Sequence, residues 1–547
     1  MPINREEIKL YQGGNMKRFL FSTAFVCVMF LTASLLFNSP AETNPSSYKG
    51  VFSGYLSSEP SNLDPARGVD VNEASIQAKI FDGLVRYDEK MKLVGNLADS
   101  WTVAADGKEF VFRLKQNVFF HNGQVMTASD VVYSLNRILD PTVGSPRTWV
   151  LEKVEGAAEC LRGEASTVSG ITALDDYTVS IKLIAPFAPF MSLLSMPACY
   201  ILPSGNAHEI ADRSFFEKPA GTGPFKITDR VRDSFVKLTA NKNYHGQKPH
   251  LASMDIRIIP ENMKAEMEFE SGNLDMLQLY PANYERFKAD PDFSSRITDV
   301  PSLNVFYVGF NNQVAPFDDA RVRRALNMLV DREKIIKAVY QGRAIPANGS
   351  IPPGISGYNK DQNGLEYNPE EAKRLLKEAG YSISKPLTFD LYQRSAQSAF
   401  EITRLLQGEF KKHGVVINLK PMEWSALKDA VSKGEAPAFY MSWFGDYPDG
   451  ENFLFPLFHS SNWGAGGNRA RFKNDDIDHM IEESVKIQDN ARRAEAYDRI
   501  NRKVAEHAPW IYLWHASESY LTSSKVNNMD FTPMFFCDNA LTLTVND

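Results

Sequence analysis

The spacing of apolar and polar residues predicts strands and helices mixed along the whole chain. Residues 51–56 and 110–114 alternate as half-buried strands do. Thr127, with Asp130 three residues later, has the form of a capping box and predicts a helix over 131–139. The same reasoning predicts helices at 73–83, 319–328, 369–379 and 399–413, two helices within 475–507, and strands at 177–183, 235–240, 254–259 and 510–514.

The N-terminus has the pattern of an export signal. Lys17 and Arg18 precede the uncharged stretch 19–37, and small residues follow up to Ala41. We predict cleavage near Ala41 and a true start at Met16, directly before the basic pair. The stretch of 19 residues approaches the roughly 20 that span a bilayer, so an uncleaved membrane anchor is the alternative.

Composition narrows the class of protein once residues 1–41 are set aside. The remaining 506 residues carry 56 Lys+Arg and 65 Asp+Glu, a net charge of −9 that argues against nucleic acid. Their length predicts two or three domains, and no later segment is apolar enough to cross a membrane. Cys160, Cys199 and Cys537 lack CxxC spacing, so we expect neither a metal nor a redox motif. A Cys160–Cys199 disulfide would suit an oxidising compartment, although sequence alone does not fix the pairing.

No catalytic signature occurs in the sequence. It contains no HExxH, GxSxG or Walker loop, and Gly221-Thr-Gly223 is followed by Pro224, which has no backbone N–H for a phosphate. Nine histidines are scattered in unrelated contexts. We therefore expect no enzyme, no catalytic residue, no cofactor and no metal site.

Several strings in order resemble one family, the extracellular solute-binding proteins of family 5. This family includes the dipeptide-, oligopeptide- and nickel-binding periplasmic proteins of ABC importers. The strings are Glu59-Pro-Ser-Asn-Leu-Asp-Pro65, Leu97-Ala-Asp-Ser-Trp101, Leu114-Lys-Gln-Asn-Val-Phe-Phe-His-Asn-Gly123, Thr127-Ala-Ser-Asp-Val-Val-Tyr-Ser-Leu135, Gly221-Thr-Gly-Pro-Phe225, Asn243-Tyr-His-Gly-Gln-Lys-Pro249, Pro316-Phe-Asp-Asp-Ala-Arg-Val-Arg-Arg-Ala-Leu326 and Trp443-Phe-Gly-Asp-Tyr-Pro-Asp449. Each string is weak alone, but their joint order makes the resemblance specific.

The resemblance implies an α/β fold of the large periplasmic binding protein type, with two lobes around a ligand cleft. It implies a leader and signal peptide over 1–41, lobe I from 42–67, 215–300 and 516–547, an extra subdomain of lobe I over 68–214, and lobe II over 301–515. Such proteins enclose ligand by hinge closure and deliver it to ABC permease subunits in the inner membrane. We therefore expect a periplasmic monomer that binds a dipeptide or short oligopeptide.

The resemblance also implies site residues. Asp446 matches the acid that pairs with a peptide's α-ammonium, with Trp443 and Gly445 supplying an apolar wall and backbone hydrogen bonds. The alternative is that Asp446 only caps the turn at Tyr447 and Pro448, since Asp is common in turns.

Arg394, 52 positions before Asp446, resembles the arginine that binds the ligand's carboxylate. A guanidinium can donate two parallel hydrogen bonds to one carboxylate. The alternative is an exposed arginine on a loop. If both residues face the cleft, their opposite charges would bind the two ends of a zwitterion.

Weaker candidates complete the predicted site. Glu59, Pro60 and Ser61 correspond to a lobe I segment that lines the cleft, and Trp514 and His515 to a position near the lobe crossover. Trp424 and Tyr392 are further wall candidates, whereas Gly221 and Gly223 are expected to shape a turn.

Two other classes stay open. A binder of a non-peptide solute, such as an oligosaccharide, an opine-like compound or a metal chelate, would have a cleft rich in aromatics or histidines with Arg394 turned away. An enzyme or chaperone-like surface protein would need a catalytic constellation or a large apolar patch that the sequence does not show.

Overall fold

The computed structural model describes residues 49–546, apart from 61, 465–466 and 535–536. The predicted export signal and its cleavage site lie outside this range. Within it, no helix is long and apolar enough to cross a bilayer.

Strands and helices are mixed along the chain, as the sequence predicts. The strands are β1 Val51–Leu56, β2 Val85–Tyr87, β3 Leu93–Gly95, β4 Ala98–Val103, β5 Glu109–Leu114, β6 Ile171–Asp175, β7 Thr178–Lys182, β8 Phe225–Val231, β9 Phe235–Ala240, β10 Ser253–Ile258, β11 Met276–Leu279, β12 Ile297–Pro301, β13 Asn304–Phe310, β14 Ala344–Pro346, β15 Leu387–Arg394, β16 Val415–Met422, β17 Ala438–Phe444, β18 Trp510–Thr522, β19 Val526–Asn527 and β20 Thr544–Val545. The α-helices are α1 Val71–Ile80, α2 Ala128–Leu139, α3 Ala157–Leu161, α4 Phe190–Leu194, α5 Ala207–Ala211, α6 Asn262–Glu270, α7 Pro281–Ala289, α8 Pro291–Ser294, α9 Ala320–Met328, α10 Arg332–Tyr340, α11 Pro369–Glu378, α12 Gln397–Lys411, α13 Trp424–Lys433, α14 Phe455–Phe458, α15 Asp475–Ser484 and α16 Asn490–His507.

The strands of the described residues form three large sheets and two two-stranded ones, β2-β3 and β19-β20. One has the order β1-β10-β9-β8, with β1 and β10 parallel, and a second is the antiparallel sheet β4-β5-β7-β6. The third has the order β11-β18-β13-β17-β15-β16, and β12 and β14 also pair with β18. The second sheet packs on α2 and its neighbours in a core of its own, which draws almost entirely on residues 66–201.

Strand β18 is longer than predicted and connects two regions. Its first residues pair with β13, and Ser517 to Thr522 pair with β11 and β12. The predicted border between the lobes, at residues 515 and 516, falls within this strand. The limits of the lobes and of the extra subdomain remain a prediction.

The capping box at Thr127 is confirmed. The Thr127 side chain accepts from the N3 backbone, the Asp130 carboxylate accepts the Thr127 N–H at 2.8 Å, and α2 begins at Ala128. Helix α1 ends three residues before the predicted limit of residue 83, because Phe81 is already extended.

The glycines of the 221–223 turn allow a close approach to the end of α1. The Gly223 N–H donates to the Ile80 carbonyl at 3.1 Å. A Cβ on Gly223 would lie 2.7 Å from the Lys79 carbonyl oxygen and 2.8 Å from the Phe81 nitrogen. Both neighbours are backbone atoms, so this position requires glycine.

The expected Cys160–Cys199 disulfide is not formed. Cys160, Cys199 and Cys537 are all free and buried. Cys160 and Cys199 belong to the core of the second sheet, where they pack as small apolar side chains. Burial raises the pKa of the Cys160 and Cys199 thiols, and it raises that of Cys537 to about 12. The cysteines therefore serve packing in this structure.

Candidate functional site

The loop after β17 positions Asp446 through its backbone. The Gly445 N–H donates to the Leu303 carbonyl at 2.8 Å, and the Asp446 N–H donates to Asn452 Oδ1 at 2.9 Å. A Cβ on Gly445 would lie 3.1 Å from the Phe453 ring, so the loop packs closely there. The acid is thus held at the carboxyl end of a buried strand.

The Asp446 side chain makes an ion pair instead of capping its own turn. Its Oδ1 lies 3.2 Å from Arg147 Nη1, and the side chain keeps 32% of its surface exposed. Asp449 caps the following turn, since its carboxylate accepts the Glu451 N–H at 3.0 Å. Burial raises the pKa of Asp446 above its usual value, and Arg147 offsets part of that rise.

Asp446 lines a cavity of about 330 Å³. The cavity is lined by Arg147, Trp149, Glu152, Lys153, Phe187, Leu193, Trp443, Asp446, Tyr447, Glu451, Asn452, Phe455, Pro456 and Asn462. Its volume is at the small end of the range of about 300 to 1,000 Å³ typical of small-molecule sites. Aromatic walls and charges of both signs therefore meet in one small space.

Trp443 lines the same cavity as Asp446, and its predicted contact with a ligand remains a prediction. Its indole Nε1–H donates to Asn452 Oδ1 at 3.3 Å, so the same amide oxygen holds both Trp443 and the Asp446 backbone. The Arg469 guanidinium lies over the indole, 6.0 Å from the ring centroid. These contacts fix the orientation of the ring.

Glu451 is a buried acid among the lining residues of the cavity. The Glu451 side chain is buried, and the Tyr447 hydroxyl donates a short hydrogen bond to it. Burial raises the pKa of Glu451 to about 7, and nearby Asp449 adds to the rise. Glu451 therefore changes its protonation state near neutral pH.

Arg394 lies at the end of β15 and outside this cavity. It is exposed, with its guanidinium 5.9 Å from the centroid of the Trp424 ring, and has no carboxylate within ion-pair distance among the described residues. Strands β15 and β17 are parallel neighbours in which Tyr392 pairs with Phe439. Continuing that register leaves Asp446 five residues farther along, at most about 16 Å at roughly 3.3 Å per residue.

The segment 59–60 is occupied by contacts within the protein. The Glu59 carboxylate lies 2.6 Å from Arg230 Nη2 and accepts the Asp233 N–H at 3.0 Å. The Pro60 carbonyl accepts from the same guanidinium at 2.8 Å. Ser61 lies outside the described residues. The ligand contacts predicted for these three residues remain a prediction.

Trp514 and His515 are buried on opposite faces of β18. Trp514 has no exposed surface and stacks on Phe306 at 6.2 Å between ring centroids. His515 Nδ1 donates to the Asn304 carbonyl at 2.6 Å, and burial lowers its pKa to about 4, so the ring is neutral at pH 7. In this structure Trp514 is part of the sheet core, and its predicted ligand contact remains a prediction.

Sequence reasoning missed Arg147, Lys153 and Glu451 as members of the Asp446 cavity. Arg147 is 299 positions from Asp446, so no local pattern connects the two. Glu451 is only five residues after Asp446 in the sequence, so it could have been considered as a neighbour in the same loop.

Comparison with known proteins defines the class. The family model described as "Bacterial extracellular solute-binding proteins, family 5 Middle" matches residues 92–465, more than half of the chain. This chain belongs to that family of solute-binding proteins. The predicted two-lobe α/β fold class is confirmed by the solved structures of its relatives.

Individual relatives carry different names. The chain is 31% identical to "Heme-binding protein A" of Haemophilus influenzae, over 87% of this chain and 89% of that protein. It is 30% identical to the "Dipeptide-binding protein" of Escherichia coli, over 78% of this chain and 81% of that protein. The solved structure of HbpA2 from Haemophilus parasuis superposes with a TM-score of 0.80 at 25% identity and covers 91% of this chain and 100% of that one.

Proposed function

We propose that this chain is the substrate-binding component of an ABC importer and captures a dipeptide or short oligopeptide. The observation that carries the proposal is the Asp446 carboxylate, which borders a small cavity and keeps a third of its side chain exposed there. A partly buried carboxylate is costly unless a cation compensates it, and a peptide's α-ammonium is such a cation.

The other end of the ligand is assigned to Arg394. Its guanidinium is exposed, has no ion-pair partner within the described part of the chain and follows a strand parallel to the one that presents Asp446. Such a group binds a carboxylate through two parallel hydrogen bonds. With at most about 16 Å of strand between the two positions, the ligand would be short.

Localisation and partner follow from the same role. Residues 17–41 would direct export to the periplasm, and the monomeric binding protein would deliver its ligand to permease subunits in the inner membrane. An uncleaved leader would tether the same receptor to the membrane. In this role the protein binds and releases its ligand without chemical change.

A second candidate ligand is a metal chelate such as haem. It is favoured by the 31% identity to the protein named "Heme-binding protein A". The described lining of the Asp446 cavity contains no histidine, and its volume of about 330 Å³ suits a small ligand. These two features favour the peptide.

Calorimetric titration with dialanine, trialanine and tetra-alanine tests the proposal. Asp446→Asn removes the counter-ion of the ammonium and should weaken binding by about 2 kcal/mol or roughly thirtyfold, while Asp429→Asn on exposed α13 serves as the matched control. Arg394→Ala should weaken binding comparably, with exposed Arg404→Ala as its control.

Two results would contradict the peptide assignment. One is unchanged affinity in both Asp446→Asn and Arg394→Ala. The other is a failure of all three peptides to bind while haem binds and gives a shifted absorbance band, which would favour the metal chelate.

A further inference from the structure

The contact between Arg147 and Asp446 joins two distant segments at the mouth of the candidate site. Arg147 lies two residues before Trp149, whose ring packs against Tyr447 at 6.1 Å between centroids. The Arg147 side chain is 20% exposed and that of Asp446 is 32% exposed. The ion pair is therefore accessible from the cavity that both residues line.

The pair is a loose one. Only one nitrogen of Arg147 and one oxygen of Asp446 take part, at 3.2 Å, whereas charge-assisted hydrogen bonds are usually about 2.7 to 2.9 Å. The Asn452 side chain is a further hydrogen-bond partner of the Asp446 carboxylate, but it is neutral, and 32% of the Asp446 side chain stays exposed. An incoming ammonium can therefore reach one oxygen of the carboxylate before Arg147 leaves the other.

Arg147 also has other partners at hand. Its Nε lies 3.5 Å from the Gly68 carbonyl oxygen and its Nη2 lies 3.5 Å from that of Val69. Both distances are at the outer limit of a hydrogen bond, so a small movement toward this backbone would strengthen them. The guanidinium would remain hydrogen-bonded after losing Asp446.

The ion pair affects cationic and neutral ligands differently, because either kind of ligand would replace Arg147 beside Asp446. A cationic ligand exchanges one counter-ion of Asp446 for another, whereas a neutral group that displaced Arg147 would leave a partly buried carboxylate without a counter-ion. The resident arginine thus disfavours neutral ligands. It also weakens the binding of cationic ligands, because the empty site is already stabilised.

We propose that Arg147 is an internal counter-ion that occupies Asp446 in the empty protein and is displaced by the ligand's ammonium, so that it sets the affinity and charge selectivity of the cavity. This inference rests on the proposed function, since it assigns the ammonium of the ligand to Asp446. It makes Arg147 a specificity-determining residue that competes with the ligand.

Titration of Arg147→Gln with dialanine or trialanine, whichever binds the wild type more tightly, tests the proposal. The Kd should fall about twofold to fivefold, which corresponds to the free energy of up to about 1 kcal/mol that a partly exposed ion pair contributes. Arg147→Lys keeps the charge and should stay within about twofold of the wild type, as should the control Arg404→Gln. The N-acetylated peptide should bind all of these proteins at least about tenfold more weakly.

The outcomes separate this inference from the proposed function. Weaker binding in Arg147→Gln would show that Arg147 contacts the ligand, and unchanged binding would show that the pair does not affect it; either result overturns the inference. If Asp446→Asn still weakens peptide binding by roughly thirtyfold, the proposed function stands whatever Arg147→Gln does. If Asp446→Asn has no effect, the inference about Arg147 fails. If Arg394→Ala also has no effect, or if no peptide binds, the proposed function fails with it.

A measurement without ligand checks the resident pair directly. The pKa of Asp446 in the empty protein, followed by NMR, should rise further in Arg147→Gln than in the wild type, because a stabilising cation is lost. An unchanged pKa would mean that Arg147 does not compensate Asp446, and displacement would then have no basis.

Discussion

Glu451 offers the sharpest test of the electrostatics of the candidate site. Its side chain is 5% exposed and accepts a hydrogen bond from the Tyr447 hydroxyl. Burial raises its pKa from 4.5 to about 7. The native state therefore binds a proton more tightly here than the unfolded chain does, and the charged form destabilises the fold.

The raised pKa of Glu451 determines how the unfolding free energy changes with pH, because proton binding and folding are linked. Because the folded pKa is the higher one, the unfolding free energy falls as pH rises through the window from about 4.5 to about 7, and the loss is complete above it. A rise from 4.5 to about 7, at roughly 1.4 kcal/mol per pH unit, amounts to about 3 kcal/mol at pH 8. Below about pH 4.5 Glu451 is protonated in both the folded and the unfolded state, so the destabilisation by its charge is absent.

Glu451→Gln removes the charge and keeps an oxygen that can accept from Tyr447. We expect this variant to exceed the wild type in unfolding free energy by about 3 kcal/mol at pH 8 and to match it near pH 4. Denaturant unfolding at pH 4, 6 and 8 measures the difference, with exposed Glu435→Gln as the control. Equal pH dependence in Glu451→Gln and the wild type would refute the reasoning, as would a variant less stable at pH 8.

Two further predictions concern packing. Gly408→Ala, at an exposed position of α12, should raise the unfolding free energy by about 0.5 to 1 kcal/mol, since a Cβ there meets no atom within 4 Å. Gly223→Ala should lower it by about 1 to 3 kcal/mol, because the added Cβ collides with backbone atoms, and equal denaturation midpoints in the two variants would contradict this account. Thiol titration of unfolded residues 42–547 without reductant should give three free thiols, because Cys160, Cys199 and Cys537 are all free in the structure. A result of one free thiol would mean that two of the cysteines form a disulfide.

Local signals in the sequence predicted the elements well. Thr127 and Asp130 place the start of α2 within three residues of its predicted position, because a capping box needs only neighbouring side chains. The extended length of β18 was not predictable in the same way. Its second half gains partners from β11 and β12, more than 200 residues earlier in the chain.

The same difference between local and long-range signals applies to the residues of the candidate site. Asp446 and Trp443 could be singled out because they belong to one string, and the structure places both on one cavity. Arg147 could not, since its contact with Asp446 depends on how distant segments fold together. The glycine at position 450 also depends on tertiary packing, because a Cβ there would lie 2.6 Å from the Tyr497 ring.

The identity of the captured ligand is the central claim, and native mass spectrometry of residues 42–547, purified without refolding, tests it most directly. A closed binding protein can retain its ligand through purification. The account predicts adducts spread over the masses of short peptides, reduced in Asp446→Asn. A single adduct with the mass of haem or of a sugar would contradict the peptide assignment and leave the family membership intact.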